Sequence, residues 1–161
     1  MNFDGQVQHR AEGVSNLVQA GVLLRGRRVG FMTDWNEITA AITAVLGGEP
    51  TGGAPRLKDL WDATSPDEHA QRCVMAHYLA DLEPDLAGEV RWDERALAEF
   101  SHVQDGDLAP VGIASAAGLA PSLHLNLGDG YLRQGNTARA REQLNRGKRQ
   151  PVPWARTGTA R

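Results

Sequence analysis

The sequence has little cysteine, few aromatic residues and no long apolar run. Cys73 is the single cysteine among 161 residues, so no internal disulfide can form. Aromatic residues make up only 6% of the chain, although four of them are tryptophan. No apolar stretch reaches the roughly 18 residues that a membrane-spanning helix needs, and Asp4 interrupts the basic region of a would-be secretory signal. These absences predict a cytoplasmic protein without a membrane segment.

Opposite charges are concentrated in different parts of the chain. Between residues 59 and 107, thirteen acidic residues stand against three arginines. Between residues 133 and 161, eight basic residues stand against Glu142 alone. This distribution fits a solvated acidic face with a basic tail, or head-to-tail association into a homodimer. The basic residues could contact phosphate, but a net charge of −3 and the lack of a helix-turn-helix DNA signature argue against a nucleic-acid partner.

Apolar residues recur at helical spacing in segments that have recognisable start signals. Asp34 is a predicted N-cap, and its helix should end at Gly47-Gly48. Ser65-Pro66 is a second start signal, because serine caps a helix and proline suits its first position. Pro84 should stop that helix and open another. These signals predict an all-α fold.

Composition divides the chain into three parts. Residues 1–30 are predicted to be a flexible arm or a short docking helix, and residues 151–161 a tail after two prolines. The helical domain should occupy residues 31–150, with a Gly/Pro-rich linker near 47–56. A second connection, at residues 105–118, is rich in small residues and long for a compact domain.

The clearest helical pair covers residues 123–145. Its apolar and small residues are Leu127-Gly128, Tyr131, Gly135-Asn136, Ala140 and Leu144. In order and spacing they resemble the tetratricopeptide repeat (TPR), a helix-turn-helix unit of about 34 residues that stacks into solenoids. His124 replaces the leading tryptophan of the family and should fill the same groove. Gly147 replaces a late alanine and should loosen the second helix.

The resemblance implies antiparallel helix hairpins in a TPR-like bundle or short solenoid. The chain as a whole also resembles small bacterial proteins that carry one such repeat. By analogy, its function would be a non-catalytic protein- or peptide-binding or assembly module, in which the first helices form a concave face. By position, that face would present Asn126, Asp129 and Arg133, which we predict to be binding residues. No cofactor is expected.

His77 and Asp81 keep a rival class of function open. They lie one helical turn apart, and histidine and carboxylate groups at this spacing can ligate a divalent metal ion. A small helical metal-binding protein or enzyme would use this pair, with His124 as a further candidate. The Glu-x-x-His pattern of carboxylate metal sites is missing. The sequence therefore favours a structural His77, hydrogen-bonded inside the bundle, and no metal or enzymatic activity. A homo-oligomeric assembly protein is the third interpretation.

Overall fold

The computed structural model describes residues 32–48 and 52–149, and these residues are mostly α-helical and contain no strand. The predicted all-α fold is therefore confirmed. The predicted arm and tail lie outside the described residues. No helix in the described part is long and apolar enough to cross a membrane. In chain order the α-helices are α1 (Trp35–Leu46), α2 (Gly53–Ala63), α3 (His69–Ala80), α4 (Leu86–Phe100), α5 (Ala120–Arg133) and α6 (Thr137–Arg149).

The helices form three successive antiparallel hairpins, α1 with α2, α3 with α4, and α5 with α6. In the middle hairpin, His69 Nδ1 and Arg72 Nε at the start of α3 lie 2.7 and 2.8 Å from the Glu99 carboxylate near the end of α4. The hairpins stack in chain order, because α2 packs on α3 and α4 packs on α5. We call α1, α3 and α5 the first helices, and α2, α4 and α6 the second helices.

The first hairpin confirms the predicted helix start and shortens the predicted linker. The Asn36 N–H donates to the Asp34 carboxylate at 2.9 Å, which caps α1. The linker near 47–56 was predicted too long, since α2 already begins at Gly53. A Cβ at this glycine would lie 2.6 Å from Val45 Cγ2. The missing side chain therefore lets α2 start directly against the end of α1.

The start of α3 differs from the sequence prediction. Ser65 does not cap the helix, which begins four residues later, at His69. Residues 65–68 form a turn in which the Ser65 N–H donates to the Glu68 carboxylate at 2.7 Å. The Thr33 hydroxyl donates to the same carboxylate at 3.2 Å. Glu68 thus joins this turn to the segment before α1, which favours the turn over an earlier helix start.

Two apolar clusters hold the hairpins together. The larger cluster is centred on α3, where Cys73, Met75, Ala76 and Leu79 are fully buried. The smaller cluster lies between α4, α5 and α6 and consists of Val90, Leu127, Tyr131 and Ala140. The Tyr131 hydroxyl donates to the Glu94 carboxylate at 2.6 Å, so that α5 is also bonded to α4.

The α5–α6 hairpin has the contacts that its sequence predicts. Gly135 has a positive φ of 78°, and the Arg139 N–H donates to the Asn136 side chain at 3.3 Å, which caps α6. Gly147 was expected to loosen α6, and in the structure α6 continues through it to Arg149. A Cβ there would lie 3.1 Å from His124 Cβ, so glycine lets the two helices approach closely.

The connection between α4 and α5 is more ordered than its composition predicts. It contains two short 3-10 turns, Ala109–Val111 and Ala116–Gly118. Leu108 is fully buried beside them. The Asp105 carboxylate accepts from the Ala116 N–H at 2.9 Å. These contacts fix the connection beside the first helices, where it contributes to the cavity described next.

Candidate functional site

The first helices of all three hairpins line one cavity, with a volume of about 400 Å³. The α4–α5 connection closes one side of it. Its lining is mainly apolar with a few hydroxyl groups, and consists of Thr39, Ile42 and Thr43 of α1, Val74, His77 and Tyr78 of α3, Val111 and Ile113 of the connection, and Leu119 and Ser122 before and in α5. We call this cavity the apolar end of the groove between α3 and α5.

Helical spacing explains why these residues share the cavity. Thr39 and Thr43 are one turn apart on α1, and each donates its hydroxyl hydrogen to its own helix, to the Trp35 and Thr39 carbonyls at 2.9 and 2.8 Å. Their oxygens remain available as acceptors. Val74 and Tyr78 have the same spacing on α3. The apolar end therefore offers methyl groups, rings and a few hydrogen-bond acceptors to a ligand.

His77 is the titratable side chain of the apolar end. Its Nε2 lies 3.5 Å from the Ser122 hydroxyl, at the limit of a hydrogen bond. Its Nδ1 is buried and has no hydrogen-bond partner among the described residues, so the predicted hydrogen bonding inside the bundle is absent for this atom. Burial lowers the pKa of His77, and Asp81 only partly opposes this. This lowered pKa favours the neutral imidazole, which suits an apolar ligand.

A second cavity, of about 390 Å³, lies next along the same two helices. It is lined by Asp81 after α3, Glu89 of α4, and Leu125, Asn126 and Asp129 of α5. Asp81 follows His77 by four residues, and Asn126 follows Ser122 by four. Each step is one helical turn, or about 6 Å. Both cavities therefore lie on one groove between α3 and α5, and we call the second one its acidic end.

Asp93 lies under the acidic end. It is on α4 one turn after Glu89, is only 2% exposed, and neither carboxylate oxygen has a hydrogen-bond partner among the described residues. Burial raises the pKa of Asp93 to about 7, with smaller contributions from Glu89, Asp81 and Asp129, while Arg133 opposes them. With a pKa of about 7, this carboxyl group is half protonated near neutral pH.

The three predicted binding residues lie at this end of the groove. Two of them line the cavity, and the third is already ion-paired. Asn126 is half-buried and Asp129 is exposed, and both line the cavity. Arg133 is exposed but already paired, with the Glu89 carboxylate and with Asp129 at 2.8 Å from its Nε. The hydrogen bonds that Arg133 donates to these two carboxylates raise its pKa. Nη1 takes part in neither of these two ion pairs, so the guanidinium can contact a partner without leaving a carboxylate.

The residues that a metal-binding protein or enzyme would use, His77, Asp81 and His124, do not come together at one site. No group of three or more histidine, cysteine or acidic side chains in the described part could hold a metal ion. His69, at the far end of α3, stacks on His102 with ring centres 4.3 Å apart. His124 fills the α5–α6 interface as predicted, is 8% exposed, and its Nδ1 lies 2.8 Å from the Gln143 side-chain oxygen.

The thiol of Cys73 is also placed where it cannot react. Its side chain is fully buried, and burial raises its pKa to about 12, with a further contribution from Glu99. Because the thiolate is the reactive form, this cysteine is the unreactive core residue that its apolar neighbours in the sequence suggest.

Sequence reasoning missed Asp93 and the threonines of α1. Asp93 stands three residues after Val90 and four before Leu97, which places it next to the apolar stripe of α4. A single carboxylate beside such a stripe could have marked Asp93 as a candidate functional residue, because acidic residues are rarely buried. Thr39 and Thr43 gave no such signal, because threonine is common on exposed helix faces.

Comparisons of the chain with protein-family models, with curated proteins and with solved structures found no match.

Proposed function

We propose that this protein is a non-catalytic binding module that holds a peptide segment of a partner protein in the groove between α3 and α5. The observation that carries the proposal is the apolar end, a cavity of about 400 Å³ to which the first helices of all three hairpins contribute. The TPR resemblance of the α5–α6 hairpin supports the same reading, because TPR modules present the first helices of each pair to their partners. This support comes from a similarity of architecture between the α5–α6 hairpin and TPR modules.

The chemistry of the lining favours binding over catalysis. The apolar end combines aliphatic and aromatic side chains with threonine oxygens that can accept hydrogen bonds. Such surfaces hold apolar side chains and fix the orientation of a backbone. His77 lacks an orienting acid partner at hydrogen-bond distance among the described residues, and an acid–base role needs one.

A selection experiment with a matched pair of variants tests this proposal. Ser122→Trp fills the apolar end, whereas Ser101→Trp adds the same ring at an exposed position at the end of α4. Immobilised wild-type protein would be used to select binders from a displayed library of random peptides. Binding by fluorescence anisotropy would then be measured for wild type and both variants, after circular dichroism has shown that both fold.

We expect selected peptides that bind wild type and Ser101→Trp equally and lose binding to Ser122→Trp. Two results would refute the proposal. One is a selection that enriches no peptide. The other is a set of peptides that bind both tryptophan variants alike, because those peptides would use a surface outside the groove.

A further inference from the structure

We propose that the acidic end of the groove is a subsite for one positively charged side chain of the bound segment, with arginine preferred. The inference deepens the proposed function and rests on it. It assigns a chemical class to the segment that the groove holds: an apolar residue at the apolar end, followed by a basic residue.

The first argument is the charge balance at the acidic end. Asp81, Glu89 and Asp129 line the same cavity, and Arg133 is bonded to two of them, Glu89 and Asp129. Asp81 keeps no ion pair within 4.0 Å in the described residues. Negative charges that line one cavity repel one another, and a cation that enters between them relieves the repulsion.

The second and independent argument is Asp93. A buried carboxyl group normally has hydrogen-bond partners, since its desolvation is costly without them. Asp93 has none among the described residues, although its side chain is almost fully buried. It lies on α4 one turn from Glu89, which is part of the groove lining, and it interacts electrostatically with Asp81 and Asp129 on the two sides. A cation bound among Asp81, Glu89 and Asp129 would act on Asp93 electrostatically and favour its ionised form.

Arginine suits the subsite better than lysine. Its planar guanidinium carries five N–H donors and can bond two carboxylates at once, and it is more weakly hydrated than an ammonium group. The exposed Leu125 at the rim can cover the aliphatic part of its side chain. The nearest lining residues of the two ends are about 6 Å apart along each helix, which corresponds to about two residues of an extended peptide.

The subsite should respond to pH through Asp93. The charged groups that act on it are Asp81 beyond α3, Glu89 on its own helix, and Asp129 and Arg133 on α5. When a cation binds, it favours the ionised carboxylate, and the proton of Asp93 passes to the solvent. Affinity for a cationic segment should therefore rise with pH from 6 to 8, across the pKa of about 7.

The test uses four labelled peptides that differ at one position. Each has a leucine two residues before the variable position, which carries arginine, lysine, citrulline or glutamate, in an otherwise alanine and serine background. Citrulline keeps the shape of arginine and removes its charge. Anisotropy titrations at pH 6, 7 and 8 would use wild type, Asp93→Asn, Asp129→Asn and, as a matched control, Asp59→Asn on the exposed face of α2.

At pH 8 we expect the arginine peptide to bind wild type about tenfold more tightly than the citrulline peptide. This ratio should fall at pH 6 in wild type and Asp59→Asn, be lower in Asp129→Asn, and lose its pH dependence in Asp93→Asn. A control titration with Ser122→Trp separates the two proposals. If arginine and citrulline peptides bind wild type equally and Ser122→Trp abolishes both, the subsite is refuted and the proposed function stands.

If no peptide shows binding that Ser122→Trp abolishes, both proposals fail. A preference for arginine that is retained in full by Asp93→Asn and Asp129→Asn would also overturn the inference, because the cation would then bind elsewhere.

Discussion

Asp93 should make the stability of this protein fall as pH rises. Its pKa is about 7 in the folded protein against an ordinary value of 3.8, because burial disfavours the charged form. Between these two values the folded state holds a proton that the unfolded chain has released. The contribution of Asp93 to the free energy of unfolding is therefore complete below pH 4, is lost progressively up to pH 7 and stays constant above it.

The size of this effect follows from the same two values. One tenfold change in proton affinity corresponds to about 1.4 kcal/mol, so a pKa of about 7 in place of 3.8 corresponds to about 4 kcal/mol. Asp93→Asn keeps the shape of the side chain and cannot ionise. The neutral carboxyl and the amide have similar desolvation costs, so the variant should match wild type within about 1 kcal/mol at pH 4. At pH 8 it should be more stable by about 4 kcal/mol.

Urea unfolding followed by tryptophan fluorescence at pH 4, 6 and 8 measures this difference. Other acidic residues also titrate over this range, but their contributions are common to both proteins and cancel in the comparison. Asp59→Asn, at an exposed carboxylate on α2, is the control and should change with pH as wild type does. The reasoning fails if wild type and Asp93→Asn lose the same free energy of unfolding between pH 4 and pH 8.

Three further predictions concern a close helix contact, a buried hydrogen bond and a buried thiol. Gly130→Ala should destabilise the protein by about 1–3 kcal/mol, since its Cβ would lie 2.7 Å from Val90 Cγ2, and Val90→Ala in the same chain should recover part of the loss in thermal melts. Tyr131→Phe should cost about 1 kcal/mol in urea unfolding, because the hydroxyl donates to Glu94 at 2.6 Å; an unchanged stability would show that this bond adds nothing. Cys73 should resist iodoacetamide at pH 8 in the native protein and react in denaturant, and native labelling by mass spectrometry would contradict its burial.

Local signals in the sequence predicted the helices with well-defined caps. Asp34 and Asn136 each cap a helix because a side-chain oxygen reaches a backbone N–H within three residues, which depends on local sequence alone. Ser65 has the same local chemistry but does not cap a helix. There, Glu68 bonds both the turn and Thr33, which is 35 residues away in the sequence. A contact at this distance leaves no local signal.

The candidate site was predictable in its parts and not as a whole. Asn126 and Asp129 were placed on one face by their positions in the TPR resemblance, and Asp81 was singled out for a different chemistry. The structure brings all three to the lining of one cavity, to which the end of α3 and the middle of α5 contribute. Periodicity identifies the face of a helix, but the neighbour of that face depends on how the hairpins stack. The close approach of α5 at Gly147 could not be predicted from the sequence for the same reason.

The stacking of the hairpins in chain order has a consequence for folding kinetics. Each helix packs mainly on the helices next to it in the sequence, so most contacts close short loops. Proteins with such low contact order fold in microseconds to milliseconds, because little chain entropy is lost before the first contacts form. We therefore expect rapid refolding after dilution from urea. The first hairpin, α1–α2, also leaves the ribosome before the other two hairpins, and it can form before the helices that complete the groove have been synthesised.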